Sequence, residues 1–183
     1  MWSAIAFVFF TLALIYISRN SLRSPRSHGF YRFFAWECIL GLFLVNVNFW
    51  FVQPFTWNQL VSWTLLFVSF VPLGFGVRFL RTQGKQADKR EGDPSLYAFE
   101  KTTDLVTSGI YKYIRHPLYC SLLLLTWGIL FKHITLTAAA LAVTATIFLV
   151  FTAKADEAEC IQFFGEQYQN YMQKTKRFIP FLI

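Results

Sequence analysis

The chain has 183 residues, of which 55% are hydrophobic and only 15% are charged, and it carries a formal charge of +7. A soluble domain of this size cannot bury so much apolar surface, and the same composition excludes a disordered chain. Three Cys residues are too few for a disulfide-rich scaffold. The composition therefore predicts an all-α integral membrane protein, folded as one polytopic helix bundle.

Five apolar runs predict membrane-spanning helices, because a span needs roughly 20 apolar residues. In chain order they cover about 2–17, 30–52, 57–80, 118–131 and 134–153. The first run has no basic residue before it and no small-residue cleavage motif, so we expect a retained anchor rather than a signal peptide. The fourth is short, and only Lys132 and His133 separate it from the fifth, which indicates a tight helical hairpin.

Two further segments are too polar to span a membrane. Residues 81–104 are polar and include Gly84, Gly92 and Pro94, and residues 154–183 carry charges on a helical pattern. In the second segment Ile161, Phe164, Tyr168 and Tyr171 recur at helical spacing and form one apolar face. We therefore predict a C-terminal cytoplasmic amphipathic helix, which either lies on the membrane or folds back over the bundle.

The basic residues predict the orientation of the bundle. With five spans, every Lys and Arg except Lys132 falls on the same side, which makes sixteen of seventeen. Basic flanks are typical of the cytoplasmic side, so we expect the N-terminus outside and the C-terminus in the cytoplasm. Nucleic-acid binding is not expected, because these residues are dispersed along membrane flanks rather than gathered in one patch.

Residues 105–119, with the sequence LVTSGIYKYIRHPLY, run directly into the fourth apolar run. Pro117 suits the first turn of a helix, so Arg115 and His116 lie beside its free backbone N–H groups. This corner suits an anionic ligand. The alternative is that Arg115 and Lys112 contact lipid phosphates while the tyrosines form an interfacial belt.

Three carboxylates follow the fifth apolar run, at Asp156, Glu157 and Glu159. They form either a solvated helix end or a site that holds hydroxyls or a cation opposite Arg115. No His, Cys and carboxylate group has the spacing of a metal site, so no metal is expected. Glu37, inside the second run, is either a functional acid or one that reaches water or pairs with Arg78.

These two segments together resemble the isoprenylcysteine carboxyl methyltransferase family, within the wider group of membrane methyltransferases that includes the phospholipid N-methyltransferases. The likeness rests on residues 105–119 and on residues 156–180, which contain Phe164-Gly165, Tyr168, Tyr171 and the motif RFIP at 177–180. It covers about the C-terminal 40% of the chain, and the first three helices share only their apolar character with the family.

The resemblance implies an S-adenosylmethionine-dependent methyltransferase that acts on a lipophilic or small acceptor at the cytoplasmic membrane face. Carboxyl O-methylation as in the isoprenylcysteine enzymes is the first expectation. The alternatives are a phospholipid amine, a small thiol, or a non-catalytic scaffold that retains the fold. We expect one domain over residues 1–183, with membrane helices in 1–80 and the cofactor-binding part in 81–183. The bilayer and the acceptor are the expected partners, and a monomer is compatible with the sequence.

The resemblance also implies which residues form the site. The positions that match the family's cofactor contacts are Thr103, Asp104, Leu105, Val106, Tyr111, His116, Pro117, Leu118, Tyr119, Asp156 and Glu157. Asp156 stands where the family has Glu, and Thr152 stands where the isoprenylcysteine enzymes have an Arg that serves the substrate.

The chemistry of the cofactor suggests a role for each charged or aromatic group. Arg115 or His116 would bind the cofactor carboxylate, and Asp156 or Glu157 would hold its ribose hydroxyls or ammonium. Tyr111 and Tyr119 would face the sulfonium, and Glu157 would be the base for an amine acceptor. We predict Arg115 and Glu157 as the catalytic residues.

Overall fold

The structure is a computed structural model that describes residues 2–84 and 102–180. In chain order its helices are α1 (Trp2–Leu22), α2 (His28–Asn46), α3 (Trp57–Gln83), α4 (Pro117–Leu130), α5 (Leu136–Phe164) and α6 (Glu166–Lys174). Short 3₁₀ turns cover Val47–Phe49 and Gly109–Lys112. The described residues contain no strand, only an isolated parallel bridge between Ile114 and Lys176. The predicted all-α membrane bundle is confirmed.

Helices α1, α2, α3 and α5 are long and apolar enough to cross a membrane, with the second span extending through the 3₁₀ turn to Phe49. Helix α4 has 14 residues and is therefore about 21 Å long, which is shorter than the roughly 30 Å hydrocarbon core. The fifth span consequently remains a prediction. Four of the basic residues used for the orientation, Lys85, Lys89, Arg90 and Lys101, lie outside the described residues.

Helix α5 is the centre of the bundle. It packs mainly against α2, while α3 packs mainly against α4, and α1 lies on the outer side of α2. Ala138, Ala142 and Ala145 of α5 are fully buried and share one core with apolar residues of α2, α3 and α4. Small side chains let these helix backbones approach closely.

Two glycines let α3 and α4 come together. An added Cβ on Gly128 would lie 2.9 Å from Leu66 Cγ, and one on Gly76 would lie 3.1 Å from Pro117 Cγ. Helix α3 continues from Trp57 to Gln83 with Pro72 inside it. Gly76 has a packing role, because it lets the start of α4 lie against α3.

The C-terminal segment folds back over the bundle. Helix α5 runs eleven residues beyond Ala153 and ends at Gly165, whose φ of +59° is in the region that favours glycine. The chain then turns into α6, and residues 175–177 pair with residues 113–116: Arg115 N donates to Lys176 O at 2.8 Å, and His116 N donates to Arg177 O at 3.1 Å. This pairing places the end of the chain beside the start of α4.

Candidate functional site

A pocket opens where the start of α4, the second half of α5 and α6 meet. Its cavity volume is about 100 Å³, and one side is open to solvent. We call it the polar pocket, and it is lined by Leu80, Thr102, Leu105, Val106, Tyr111, Arg115, His116, Pro117, Leu118, Tyr119, Asp156, Cys160, Phe164, Tyr168 and Tyr171.

The start of α4 presents backbone donors to this pocket. Pro117 is the first helical residue and His116 is the N-cap, and the His116 side chain does not cap the helix. The first N–H groups of a helix have no intrahelical acceptor, and Pro117 has no N–H, so the backbone N–H groups of Leu118 and Tyr119 lie at the positive end of the helix. Both residues line the polar pocket. This end of α4 is therefore suited to a carboxylate or another anion.

Glu157 does not line the pocket, because its carboxylate is enclosed by cationic side chains. Arg115 Nε donates to its Oε1 at 3.0 Å, and Arg177 donates to both oxygens at 3.0 and 2.6 Å. Arg115 Nη1 also donates to the backbone oxygens of Met172 and Thr175. Glu157 thus ties the start of α4 to the C-terminal segment, and we call this arrangement the Glu157 clamp.

Asp156 is the neighbouring acid, and it does line the pocket. Tyr119 donates from its hydroxyl to Asp156 Oδ2 at 3.1 Å, and the Sγ of Cys160 lies 3.6 Å from Oδ1. His116 Nδ1 lies 3.4 Å from Asp156 Oδ2, while its Nε2 lies 3.3 Å from Glu157 Oε1. The imidazole therefore bridges the two acids.

The environment of His116 favours its charged form. Burial alone lowers the pKa of His116, but the hydrogen bonds to Asp156 and Glu157 outweigh burial and raise the pKa above its ordinary value. An imidazole that meets a carboxylate at each nitrogen is best satisfied as a cation, because both nitrogens then donate. The pocket wall consequently contains two cations, Arg115 and His116, beside the carboxylate of Asp156.

Two tyrosines of α6 complete the wall. Tyr168 and Tyr171 are buried, and the Tyr171 hydroxyl donates to the backbone oxygen of Tyr111 at 2.7 Å. Burial raises the pKa of Tyr168 and of Tyr171 far above the ordinary value, so both phenols stay neutral. They supply aromatic faces and shape rather than a base.

Most of the residues predicted for the site meet in this pocket. Leu105, Val106, Tyr111, Arg115, His116, Pro117, Leu118, Tyr119 and Asp156 all line it. Thr103 and Asp104 are exposed and lie outside the lining, where their backbone N–H groups donate to Gly84 O at 3.1 and 3.4 Å. Glu157 lies behind the lining, in the clamp.

The sequence did not indicate six of the lining residues as a site, namely Leu80, Thr102, Cys160, Phe164, Tyr168 and Tyr171. The helical spacing of Phe164, Tyr168 and Tyr171 predicts a buried face, and only the folded chain shows what this face covers. Glu37 lies outside this region and accepts a hydrogen bond from Thr11 Oγ1 at 2.8 Å, so it joins α1 to α2.

A second cavity lies on the other side of α4. It is almost entirely apolar and runs between α3, α4, α5 and the C-terminal segment, with Arg177 in its wall. We call it the apolar groove, and it is lined by Leu65, Cys120, Leu123, Leu124, Trp127, Phe131, Thr146, Val150, Arg177, Phe178 and Ile179. Tyr119, which lines the polar pocket, and Phe178, which lines the groove, belong with Ala153 to one buried cluster.

Comparison with known proteins identifies the group to which the chain is related. The family profile described as phospholipid methyltransferase matches residues 92–171. Protein-S-isoprenylcysteine O-methyltransferase A of Arabidopsis thaliana is 33% identical over 85 residues, which are 46% of this chain and 43% of that protein.

Two methanethiol S-methyltransferases are also similar. Methanethiol S-methyltransferase 1 of Bradyrhizobium diazoefficiens is 30% identical over 142 residues, or 77% of this chain and 42% of the relative. The Pseudomonas deceptionensis enzyme is 30% identical over 73 residues, or 40% of this chain and 27% of the relative. The chain thus spans less than half the length of these relatives, and no solved structure matches it. The profile match and these relatives show that the chain is similar to the membrane methyltransferases of phospholipids, isoprenylcysteine and methanethiol.

Proposed function

We propose that this protein is an S-adenosylmethionine-dependent methyltransferase that acts at the cytoplasmic face of a membrane. The observation that carries the proposal is the polar pocket, whose walls offer a partner for each group of that cofactor. When bound, S-adenosylmethionine supplies a methyl group: a bond forms between this carbon and the acceptor as the carbon–sulfur bond breaks. The positive-inside distribution of Lys and Arg supports the cytoplasmic placement.

The residues of the pocket fit the cofactor in chemical type. The backbone N–H groups of Leu118 and Tyr119 suit its carboxylate, and Arg115 adds a positive charge beside them. The bonds of Arg115 to described residues use Nε and Nη1, so its Nη2 remains available to a ligand. Asp156 suits the ribose hydroxyls or the ammonium, and the tyrosine rings suit the sulfonium.

The acceptor is best matched by a nucleophile that is already ionised. Tyr168 and Tyr171 are held neutral, and guanidinium groups enclose Glu157. Among the described lining residues only Asp156 is left to accept a proton, and it is shared between Tyr119 and His116. A carboxylate or a thiolate needs no base, and its alignment with the methyl group is most of the catalysis. An amine acceptor, which needs a base to take its proton, therefore fits these lining residues less well.

The apolar groove supports a lipophilic acceptor. Its wall suits a lipid tail, and Arg177 in that wall joins the groove to the Glu157 clamp. Tyr119 of the polar pocket and Phe178 of the groove belong to one buried cluster, so the two cavities lie close together. On this basis an acceptor of the isoprenylcysteine carboxylate kind is our first candidate.

One observation favours a small thiol as the second candidate. Thr152, at the position of the substrate arginine in the isoprenylcysteine enzymes, is fully buried, and its hydroxyl donates to Phe148 O at 2.8 Å. It carries no charge for an acceptor carboxylate. A small thiolate needs neither this charge nor the apolar groove.

Binding of S-adenosylhomocysteine by calorimetry, with the protein in lipid nanodiscs, tests the proposal. We expect binding that weakens in Asp156→Asn but not in Glu166→Gln, which changes an exposed carboxylate in the same way. Absence of binding to the native protein would contradict the proposal and favour a non-catalytic scaffold.

A radiolabelled-methyl assay then separates the acceptors. Prenylcysteine analogues, small thiols and phosphatidylethanolamine are offered in parallel to the native protein and to Leu123→Trp, which fills the apolar groove. For a lipophilic acceptor, Leu123→Trp lowers transfer, whereas Leu60→Trp on the exposed face of α3 does not. For a small thiol, neither variant changes the rate. Label in the phosphatidylethanolamine fraction would instead show an amine acceptor.

A further inference from the structure

A buried histidine at the start of α2 contacts the acids of α5 directly behind the polar pocket. His28 is the first residue of α2, its side chain is fully buried, and its Nδ1 contacts Glu159 Oε2. Its backbone N donates to the other oxygen of the same carboxylate at 2.8 Å. Glu159 therefore binds both the imidazole and a backbone N–H group at the positive end of α2.

Asp156 shares this side of α5 with Glu159. Residues three apart on a helix lie on one face, and ligand atoms of His28, Asp156 and Glu159 all lie within 4.8 Å of one another. Asp156 also faces the polar pocket, where it accepts a hydrogen bond from Tyr119. His28 is thus separated from the pocket by a single carboxylate.

Two carboxylates at this spacing repel each other, and each then favours a rotamer that points away from the other. The positive end of α2 and the imidazole of His28 lie beside both carboxylates. Arg32 is a further charged group of α2 that acts on His28. With His28 and Glu159 bound to each other, Asp156 can remain ionised and directed at the pocket. Loss of either partner leaves the other one to act on Asp156, His28 by attraction or Glu159 by repulsion, and either effect moves the Asp156 carboxylate from its position.

We propose that His28 and Glu159 form a latch that positions Asp156 for binding of the methyl donor. His28 is a positioning residue in this proposal, which rests on the proposed function because the latch matters only if the polar pocket binds the cofactor. The latch also makes the first half of the chain part of the site, although the sequence likeness to known enzymes is concentrated in the second half.

The test measures the dissociation constant of S-adenosylhomocysteine for His28→Ala, Glu159→Gln and the double variant in lipid nanodiscs. Loss of a hydrogen bond to a charged group predicts an affinity on the order of tenfold weaker in each single variant. The double variant should be no weaker than either one, because the two residues act as a unit. In turnover assays the KM for the methyl donor rises, whereas the KM for the acceptor stays unchanged.

Ser27→Ala is the matched control. Ser27 caps the same helix by accepting a hydrogen bond from Phe30 N at 3.2 Å, so its loss weakens the start of α2 without removing the contact to α5. We expect this variant to bind the ligand within twofold of the native protein. If His28→Ala fails to fold, Glu159→Gln, which retains the imidazole, carries the same expectation.

Three results would overturn the latch. The first is native affinity in both single variants, and the second is an equal loss of affinity in Ser27→Ala, which would reduce the effect to stability of the helix start. The third is an affinity that EDTA abolishes and Zn²⁺ restores, since the three side chains would then be metal ligands. If the native protein itself binds no S-adenosylhomocysteine, the proposed function fails and the latch fails with it.

Discussion

Replacing Glu157 by Gln tests whether this acid acts in chemistry or holds the site together. The side chains of Glu157 and Arg115 are 6% and 8% exposed, and that of Arg177 is 24% exposed. The carboxylate accepts hydrogen bonds from both guanidiniums and contacts His116. Gln removes the charge and turns an N–H₂ group toward these donors. Removing one partner of a buried ion pair costs about 3–5 kcal/mol, and we expect the lower end because one acceptor oxygen remains.

For a chain of this size, a loss of about 3 kcal/mol lowers Tm by roughly 6–12 °C. The assay is thermal unfolding followed by tryptophan fluorescence in detergent, with and without S-adenosylhomocysteine. Ligand affinity should fall together with Tm, because Arg115 and His116 line the polar pocket. Glu166→Gln is the control and should leave Tm within about 2 °C of the native value, as expected for a surface position. An unchanged Tm in Glu157→Gln with turnover lost would refute the clamp and support the catalytic role predicted from the sequence.

Three more predictions concern stability, and thermal unfolding in detergent checks each of them. The pKa of His116 is raised in the folded protein, so the contribution of His116 to the free energy of unfolding is complete below about pH 6.5 and is lost as the pH rises through the folded pKa. His116→Gln should remove this pH dependence of the stability. Lys132 is buried, and its Nζ lies 3.4 Å from the centre of the Trp63 ring. Lys132→Ala should therefore lower the free energy of unfolding by about 1–3 kcal/mol. A variant as stable as the native protein would contradict the cation–π contact. Gly128→Ala should lower the free energy of unfolding by about 1–3 kcal/mol through overpacking. Gly74→Ala should be neutral or stabilising, because no atom lies within 4 Å of an added Cβ there. Equal effects of the two substitutions would count against close packing at Gly128.

The positions of the helices could be predicted because apolar runs in a membrane must satisfy their backbone hydrogen bonds internally. The start of α4 followed from Pro117, whose ring suits a first turn and whose missing N–H costs nothing there. The end of α5 could not be found in this way. The charged residues 154–159 have the composition of a helix end, but Gly165, with its positive φ, terminates the helix two turns later.

The candidate site was predictable only where its residues are close in the sequence. The segment around Arg115 and His116 carries a local pattern, and the structure places both residues in the polar pocket. The contact between His28 and Glu159 joins positions 131 residues apart, and no local spacing indicates it. Sequence spacing gave no sign of a group of metal-ligand type, yet the fold brings these two residues together with Asp156.

Adjacent acids on a helix point about 100° apart, and this geometry divides the pair that the sequence presents as one motif. Glu157 faces the clamp, where two arginines of the chain already satisfy it. Asp156 faces the polar pocket, and Glu159, three residues later, shares its side of α5 and reaches α2. Of these three acids, Asp156 is the one that lines the polar pocket. If the pocket holds the methyl donor, we expect substitutions at Glu157 and Glu159 to act through the orientation of pocket residues, whereas substitution of Asp156 removes a contact to the ligand.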